Sequence, residues 1–355
     1  MLGAGPANAA AGALDPTFGQ GGQVTVSLSN NNVIAEDALL QPDGKILVAA
    51  EITEIVADAN ATVTFGVLRL LPNGNLDPSF GTGGVTRIAF GGPSALALQA
   101  DGKIVVVGGP SGFGVARFNA NGSLDTTFGA GGTVTTNPAG FPLTSVTAVV
   151  VDPRNGQILV GGSAKACAKC VTDTALARYN ANGSLDLSFG NEGTVVVQAI
   201  GAATTLALLS SGDILTAQGE VIVEFGPNGS LHSSVTSTVS GATIVATSQG
   251  GQTVFQTNGD FVFASSVQGE LGRRDIDIQL MRFLPQGSLD GTFNSPVFDF
   301  GAEAAIAESA RALVLQSNGQ ILAGAVQANL EPEASGWRDS IAAVVSTPLS
   351  GARAN

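Results

Sequence analysis

Apolar residues along this chain fall in short packets separated by clusters of Gly, Asn, Asp and Ser, with no sustained helical rhythm. Such packets, bounded by turn residues, predict β-strands. From Ala97 to Gly132 the chain reads ALQADGKIVVVGGPSGFGVARFNANGSLDTTFGAGG. Here SALALQ, KIVVVGG, FGVARFN and, after the last glycines, TVTTN are the expected strands, and the DG and NG pairs suit turns that demand positive φ. The second strand, like KILVAA upstream, is nearly continuous in apolar residues. A sheet wetted on one side would alternate, so a continuous run predicts burial on both faces.

The same hairpin recurs six times: QPDGKILVAA from Gln41, QADGKIVVVG from Gln99, DPRNGQILVG from Asp152, LSSGDILTAQ from Leu209, QTNGDFVFAS from Gln256 and QSNGQILAGA from Gln316. Its turn glycines, Gly44, Gly102, Gly156, Gly212, Gly259 and Gly319, lie about 55 residues apart, a period of propellers and solenoids. Six units of four antiparallel strands predict an all-β, six-bladed β-propeller, which protects its sheet edges by radial repetition. The N-terminal LDPTFGQGGQVTV is an orphan fourth strand with its preceding loop, while the last unit ends after a third strand near residues 340–345. The N-terminal strand is therefore expected to complete the last blade and close the ring. The organisation expected is a flexible segment over 1–11, one propeller domain over 12–346 and a flexible tail over 347–355.

Composition supports one large all-β domain: of 355 residues, 44% are hydrophobic and 12% charged, with 48 glycines for turns. No apolar run approaches the roughly 20 residues of a membrane-spanning helix. The net charge of −13 would repel nucleic acid and anionic membranes, and neither is expected as a partner. The opening MLGAGPANAAAGA lacks the basic start and apolar segment of a signal peptide. Either the protein stays inside, or this chain is a fragment or mature portion of a longer exported one.

LDPTFG at Leu14, LDPSFG at Leu76, LDTTFG at Leu124 and LDLSFG at Leu185 accompany QxDGKI and RLLPNG or RFNANG. These phrases resemble the delta-60 repeat family of bacterial proteins over almost the whole chain. The resemblance implies an exported or surface protein and no particular reaction. The fourth unit departs most, with LHSSVT from Leu231.

Arg69, Arg117, Arg178 and Arg282 occupy one position near the end of the third strand, and Asp77, Asp125, Asp186 and Asp290 each follow eight residues later. In the fourth unit both change together, to Glu224 and His232. These residues are expected to meet as structural ion pairs across the loop between third and fourth strands. In the last unit Val344 stands at the arginine position, leaving Asp15 without this partner. NANGSLD, at Asn119 and Asn180, spaces oxygen ligands as a calcium loop would, but Leu71, Gly226 and Leu284 replace the first ligand in the other copies. Asx-type turns explain these segments better. Cys167 and Cys170 form CAKC; a loop disulfide is the leading reading and two free thiols the alternative. With no other cysteine and His232 the only histidine, no metal and no cofactor is expected.

No histidine-dependent triad, nucleophile elbow or phosphate-cradling loop is present. A carboxylate pair remains available for glycosidase-type chemistry. The loops joining second to third strands, and fourth strands to the next unit, share the face opposite the repetitive turns and vary widely: AAEITEIVADANATVTFG, VGGPSGFG, GGSAKACAKCVTDTA, ASSVQGELGRRDIDI and GAVQANLEPEASGWRDS. Function concentrates on such loops. Trp337 with Arg338 and Asp339, and Arg273 with Arg274, are the candidate binding residues there. The function expected is a non-enzymatic binding or structural module, secreted or at the cell surface, monomeric or part of a larger protein, holding a protein or glycan. The alternative is a carboxylate-dependent propeller enzyme, glycosidase- or lactonase-like, acting at the central channel.

Overall fold

The computed structural model describes residues 31–54, 62–109, 111–198, 201–203, 205–218 and 221–234, with the shorter stretches 19, 23–26, 28, 244–247, 253–255, 261–268, 276–284, 290–293, 297–298, 306–315, 321–329 and 341–343. After β1 (Gln23–Thr25), unit one comprises β2 (Asn31–Leu40), β3 (Ile46–Glu54), β4 (Thr62–Leu70) and β5 (Val85–Ile88). Unit two comprises β6 (Pro93–Leu98), β7 (Ile104–Gly108), β8 (Phe113–Phe118) and β9 (Thr133–Thr136), and unit three β10 (Leu143–Val151), β11 (Ile158–Lys165), β12 (Asp173–Tyr179) and β13 (Thr194–Val197). Unit four holds β14 (Thr205–Leu209), β15 (Ile214–Gln218), β16 (Val221–Phe225) and β17 (Leu231–Ser234). There follow β18 (Ile244–Thr247), β19 (Thr253–Phe255), β20 (Phe261–Gln268), β21 (Ile276–Phe283), β22 (Val297–Phe298), β23 (Ile306–Leu315), β24 (Ile321–Asn329) and β25 (Ile341–Ala343). No helix occurs among the described residues.

Units one, two and three are each a four-stranded antiparallel meander paired in chain order. The turn between first and second strands is tight because Gly44, Gly102, Gly156 and Gly212 all adopt positive φ, from 74° to 95°, a region open to glycine at little cost. The first strands of units one, two and three carry a β-bulge against their second strands at one place: between Ala35 and Asp37, Pro93 and Ala95, and Val146 and Ala148. A bulge bends its strand and strengthens the local twist.

The continuous apolar second strands are explained by two neighbours. In β7, Ile104 and Val106 join a cluster with Leu47, Ala49 and Phe65 of unit one, whereas Val105 and Val107 join one with Val146, Val149 and Ile158 of unit three. In β11, Ile158 and Val160 face unit two while Leu159 joins Leu206, Leu208 and Ile214 of unit four. Successive side chains point to opposite faces, so each face of a sheet is the core shared with an adjacent sheet. Unit one is covered on its other side by Val24, Val26 and Leu28, which pack against Val33, Val48 and Leu68.

Two features go beyond a plain run of four-stranded units. In unit four, β18 adds a fifth strand, pairing antiparallel with β14. At the chain ends, β1 pairs antiparallel with β25 and β25 with β24, within a sheet that also holds β19 to β23.

Candidate functional site

Two faces of the molecule carry polar chemistry. On the turn face, the recurrent arginines and aspartates form the same assembly four times, at Arg69, Arg117, Arg178 and Arg282. Arg69 Nε donates to Asp77 Oδ2 at 2.9 Å, Arg117 Nε to Asp125 at 2.8 Å, Arg178 Nε to Asp186 at 2.8 Å and Arg282 Nε to Asp290 at 2.8 Å. The LDxSFG loop is built around its aspartate. Asp77 Oδ1 accepts from the Ser79 amide at 2.9 Å and hydroxyl at 2.6 Å, and Thr127, Ser188 and Thr292 repeat this for Asp125, Asp186 and Asp290. The loop phenylalanine turns inward under the guanidinium. Arg69, Arg117, Arg178 and Arg282 lie 4.6, 4.6, 4.5 and 5.0 Å from the ring centres of Phe80, Phe128, Phe189 and Phe293, within cation–π range.

In units one to three the other end of the fork leaves its own sheet. Arg69 Nη1 donates to the Ala120 carbonyl at 2.6 Å, Arg117 Nη1 to Ala181 and Arg178 Nη1 to Pro227, in each case a turn carbonyl of the next unit. Beside each fork a backbone bond makes the same crossing: Gly81 N to Asn121 O at 2.8 Å, Gly129 N to Asn182 O at 2.9 Å and Gly190 N to Asn228 O at 2.8 Å. The approach is close enough to exclude a side chain. A β-carbon on Gly122 would lie 2.9 Å from Gly81 N and 3.0 Å from the Phe80 ring. We call this assembly the arginine latch.

Hydrogen bonds set the electrostatics of the latch. The Ser79 hydroxyl and amide, with Arg69, hold Asp77 at about 2 against the opposing effect of burial. At Asp125 burial pulls upward, but the Thr127 hydroxyl and amide, Arg117 and Lys103 outweigh it and hold the group at about 2. The Thr292 hydroxyl and amide do the same for Asp290, also at about 2. A lysine after the turn glycine adds a second cation, Lys45 Nζ lying 3.5 Å from Asp77 and Lys103 Nζ 3.4 Å from Asp125. In unit three Gln157 Nε2 replaces it, donating to Asp186 at 2.8 Å.

Asp37 behaves in the opposite way. It follows the bulge of β2, is buried, and accepts from the Ala38 and Leu96 amides at 2.7 Å each, the latter in unit two. Burial pushes its carboxyl well above the ordinary range, more than the two amides pull it down. Oδ1 is engaged by its own strand at Ala38 and Oδ2 by Leu96 of the next sheet, which makes Asp37 a tie between units.

In unit four the assembly has different chemistry. Glu224 on β16 and His232 on β17 come together, and the structure adds Asp213 from the turn between β14 and β15. One ligand atom from each lies within 4.8 Å of the others. Asp213 was not singled out from the sequence. Its signal was available, because aligning the residue after each turn glycine gives Lys45, Lys103, Gln157, Asp213, Asp260 and Gln320, and of the two aspartates only Asp213 accompanies the Glu224 and His232 exchange.

On the opposite face, the described loops carry a disulfide between Cys167 and Cys170. Val63, Leu143 and Val171 are exposed there, Val171 at 65%. Trp337, Arg338, Asp339, Arg273 and Arg274 lie outside the described residues, as do Asp15, Val344 and the terminal segments 1–11 and 347–355.

A family described as "Domain of unknown function (DUF5122) beta-propeller" matches residues 41–80, 99–128 and 154–189. No curated protein sequence matches the chain. Among solved structures, a Dyadobacter fermentans protein described as of unknown function is 12% identical with a TM-score of 0.52, over 90% of this chain and 96% of that one. A protein of unknown function from Bacteroides caccae is 12% identical with a TM-score of 0.44, over 88% and 94%. A gluconolactonase from Xanthomonas campestris is 13% identical with a TM-score of 0.41, over 86% and 94%. At such identities likeness bears on fold alone, and the two lower scores carry no argument. The family match falls on the hairpins and latches of units one to three, and with the four-stranded antiparallel sheets it supports a β-propeller repeat family.

Proposed function

We propose that the chain is a six-bladed ring of delta-60-type repeats, closed by β1 as the fourth strand of the last blade, and that it serves as a non-enzymatic binding or structural module. Its setting is an exported or cell-surface bacterial protein, and its partner a protein or glycan held by the variable loops. Closure is supported by the pairing of β1 with β25. It is supported too by Gly19, whose amide donates to Asn73 O at 3.1 Å, the crossing that Gly81, Gly129 and Gly190 make to their next units.

The observation that carries the functional reading is the arginine latch. The charged residues that recur are engaged by an aspartate, a phenylalanine ring and, in units one to three, the next sheet's carbonyl. The repeated chemistry is thus spent on the scaffold, and what differs between units is the loop face. Three of the five exposed large apolar side chains among the described residues, Val63, Leu143 and Val171, lie on that face.

The test is a screen of the purified chain against a glycan array and candidate surface proteins, followed by thermal shift, since a ligand of the native state raises Tm by mass action. Replacing 163–172 with the shorter loop of unit two should abolish a bound partner's shift and leave the fold intact. Turnover of a lactone or glycoside by the chain, or binding indifferent to every loop replacement, would overturn the reading.

A further inference from the structure

Unit four changes every corner of the latch at once. Asp213 stands where units one and two carry Lys45 and Lys103, Glu224 where the arginines stand, and His232 where the aspartates stand. In units one and two, two cations surround one carboxylate; here two carboxylates surround one imidazole. A fourth change makes room for this. Gly226 replaces Leu71, Asn119 and Asn180, and a β-carbon there would lie 2.6 Å from His232 Nε2 and 2.8 Å from Ser230 Oγ. The backbone at Gly226 is not left-handed, so it is space for the imidazole that glycine supplies.

We propose that Asp213, Glu224 and His232 form a site for a divalent metal ion of the zinc class. Two carboxylates bring a charge equal and opposite to that of the ion, and bringing them within 4.8 Å of each other without a cation sets like charges against one another. One imidazole with two carboxylates is a donor set for Zn²⁺ and its transition-metal neighbours, whereas Ca²⁺ takes six to eight oxygens and Mg²⁺ keeps its waters. Bond lengths of about 2.0–2.2 Å place ligand atoms roughly 3.4 Å apart around a tetrahedral ion. Glu224 is partly buried and His232 exposed, so side-chain rotation closes the remaining gap, with water completing the shell. The ion then ties the turn, β16 and β17 together, the elements that lysine, arginine and aspartate tie in units one and two. This site lies on the turn face and stands independently of what the loops hold.

The experiment uses the full chain, stripped with EDTA, in a C167S/C170S background so that thiols contribute nothing. Isothermal titration with Zn²⁺ should give one site per chain and a Zn²⁺-dependent rise in Tm, neither of which millimolar Ca²⁺ or Mg²⁺ reproduces. H232A and E224Q should each weaken Zn²⁺ binding by at least about tenfold, since even outer-shell changes cost that much. The triple variant D213K/E224R/H232D restores the latch residues of units one and two; it should keep the metal-free Tm and lose the site. Absence of Zn²⁺ binding by the parent chain, or undiminished binding by H232A or the triple variant, would overturn the proposal.

Discussion

Arginine 117 is the point at which the latch can be opened with one substitution. Its Nε donates to Asp125 at 2.8 Å, with side-chain exposures of 7% and 5% for the pair, and its Nη1 reaches unit three at the Ala181 carbonyl. Removing one partner of a buried pair costs about 3–5 kcal/mol because it strands the other charge. Lys103 Nζ remains 3.4 Å from Asp125, which places R117A at the lower end, about 3 kcal/mol. R117K keeps the charge but not the planar fork, so it cannot hold Asp125 and Ala181 together and recovers only part of the loss. With R117A/D125A no charge is stranded, and the double variant should cost less than the sum of its singles by about 1–3 kcal/mol. Urea denaturation followed by circular dichroism gives these values. Hydrogen exchange locates them: the Gly129 amide donates to Asn182 O, one residue from the Ala181 anchor, and should lose protection in R117A. An R117A chain within about 0.5 kcal/mol of the parent, or unchanged exchange at Gly129, would refute the claim that the latch joins the sheets.

Three further predictions concern acid, burial and space. Asp77, Asp125 and Asp290 are depressed to about 2 from 3.8; the stability they contribute is present above the unfolded pKa and lost as pH falls through the folded one. Denaturation midpoints should therefore drop between about pH 4 and pH 2, and S79A or T292A should move the loss to higher pH. Asp37 has the opposite sign: raised by burial, it contributes most below its unfolded pKa and progressively less as pH rises through its folded value. The destabilisation caused by D37A, about 1–3 kcal/mol for an unpaired Leu96 amide, should accordingly shrink with rising pH when followed by urea titration. Finally, G122A and G131A both place alanine at positive φ, 88° and 69°, but only Gly122 faces another unit, nothing lying within 4 Å of a β-carbon on Gly131. Calorimetry should show G131A losing about 1 kcal/mol and G122A distinctly more; equal losses would deny the close approach.

The parts of the fold legible in the sequence are those fixed within a few residues. The turn glycines, the four strands of unit two and the eight-residue spacing of arginine and aspartate all belong to single hairpins or loops, where local φ preference and side-chain reach decide the outcome. Contacts between sheets were not legible in the same way. The partners Ala120, Ala181 and Pro227 stand 51, 64 and 49 residues from their arginines, and they offer backbone carbonyls, which leave no mark on residue identity. Stacking of arginine on the FG phenylalanine was similarly hidden, since a buried Phe reads first as core. Asp213 escaped notice for a different reason: comparing Glu224 with His232 treats the latch as two residues, while Lys45 and Lys103 make it three. The added strand β18 is defined by its pairing with β14, a property of the assembled sheet and not of the IVAT segment itself.

The latch also has a direction. In units one to three each fork points to the unit after it, so these units each carry a plug and units two to four each carry a socket. Unit four breaks this sequence on one side only: the Pro227 carbonyl still receives Arg178, but Glu224 has no fork to pass onward. Under a stretching force, units one to four, joined by three forks, are expected to part later than the joint after unit four, across which Glu224 sends none. A gene that lengthens by tandem copying would gain intact couplings from any of the first three units and a second weak joint from the fourth.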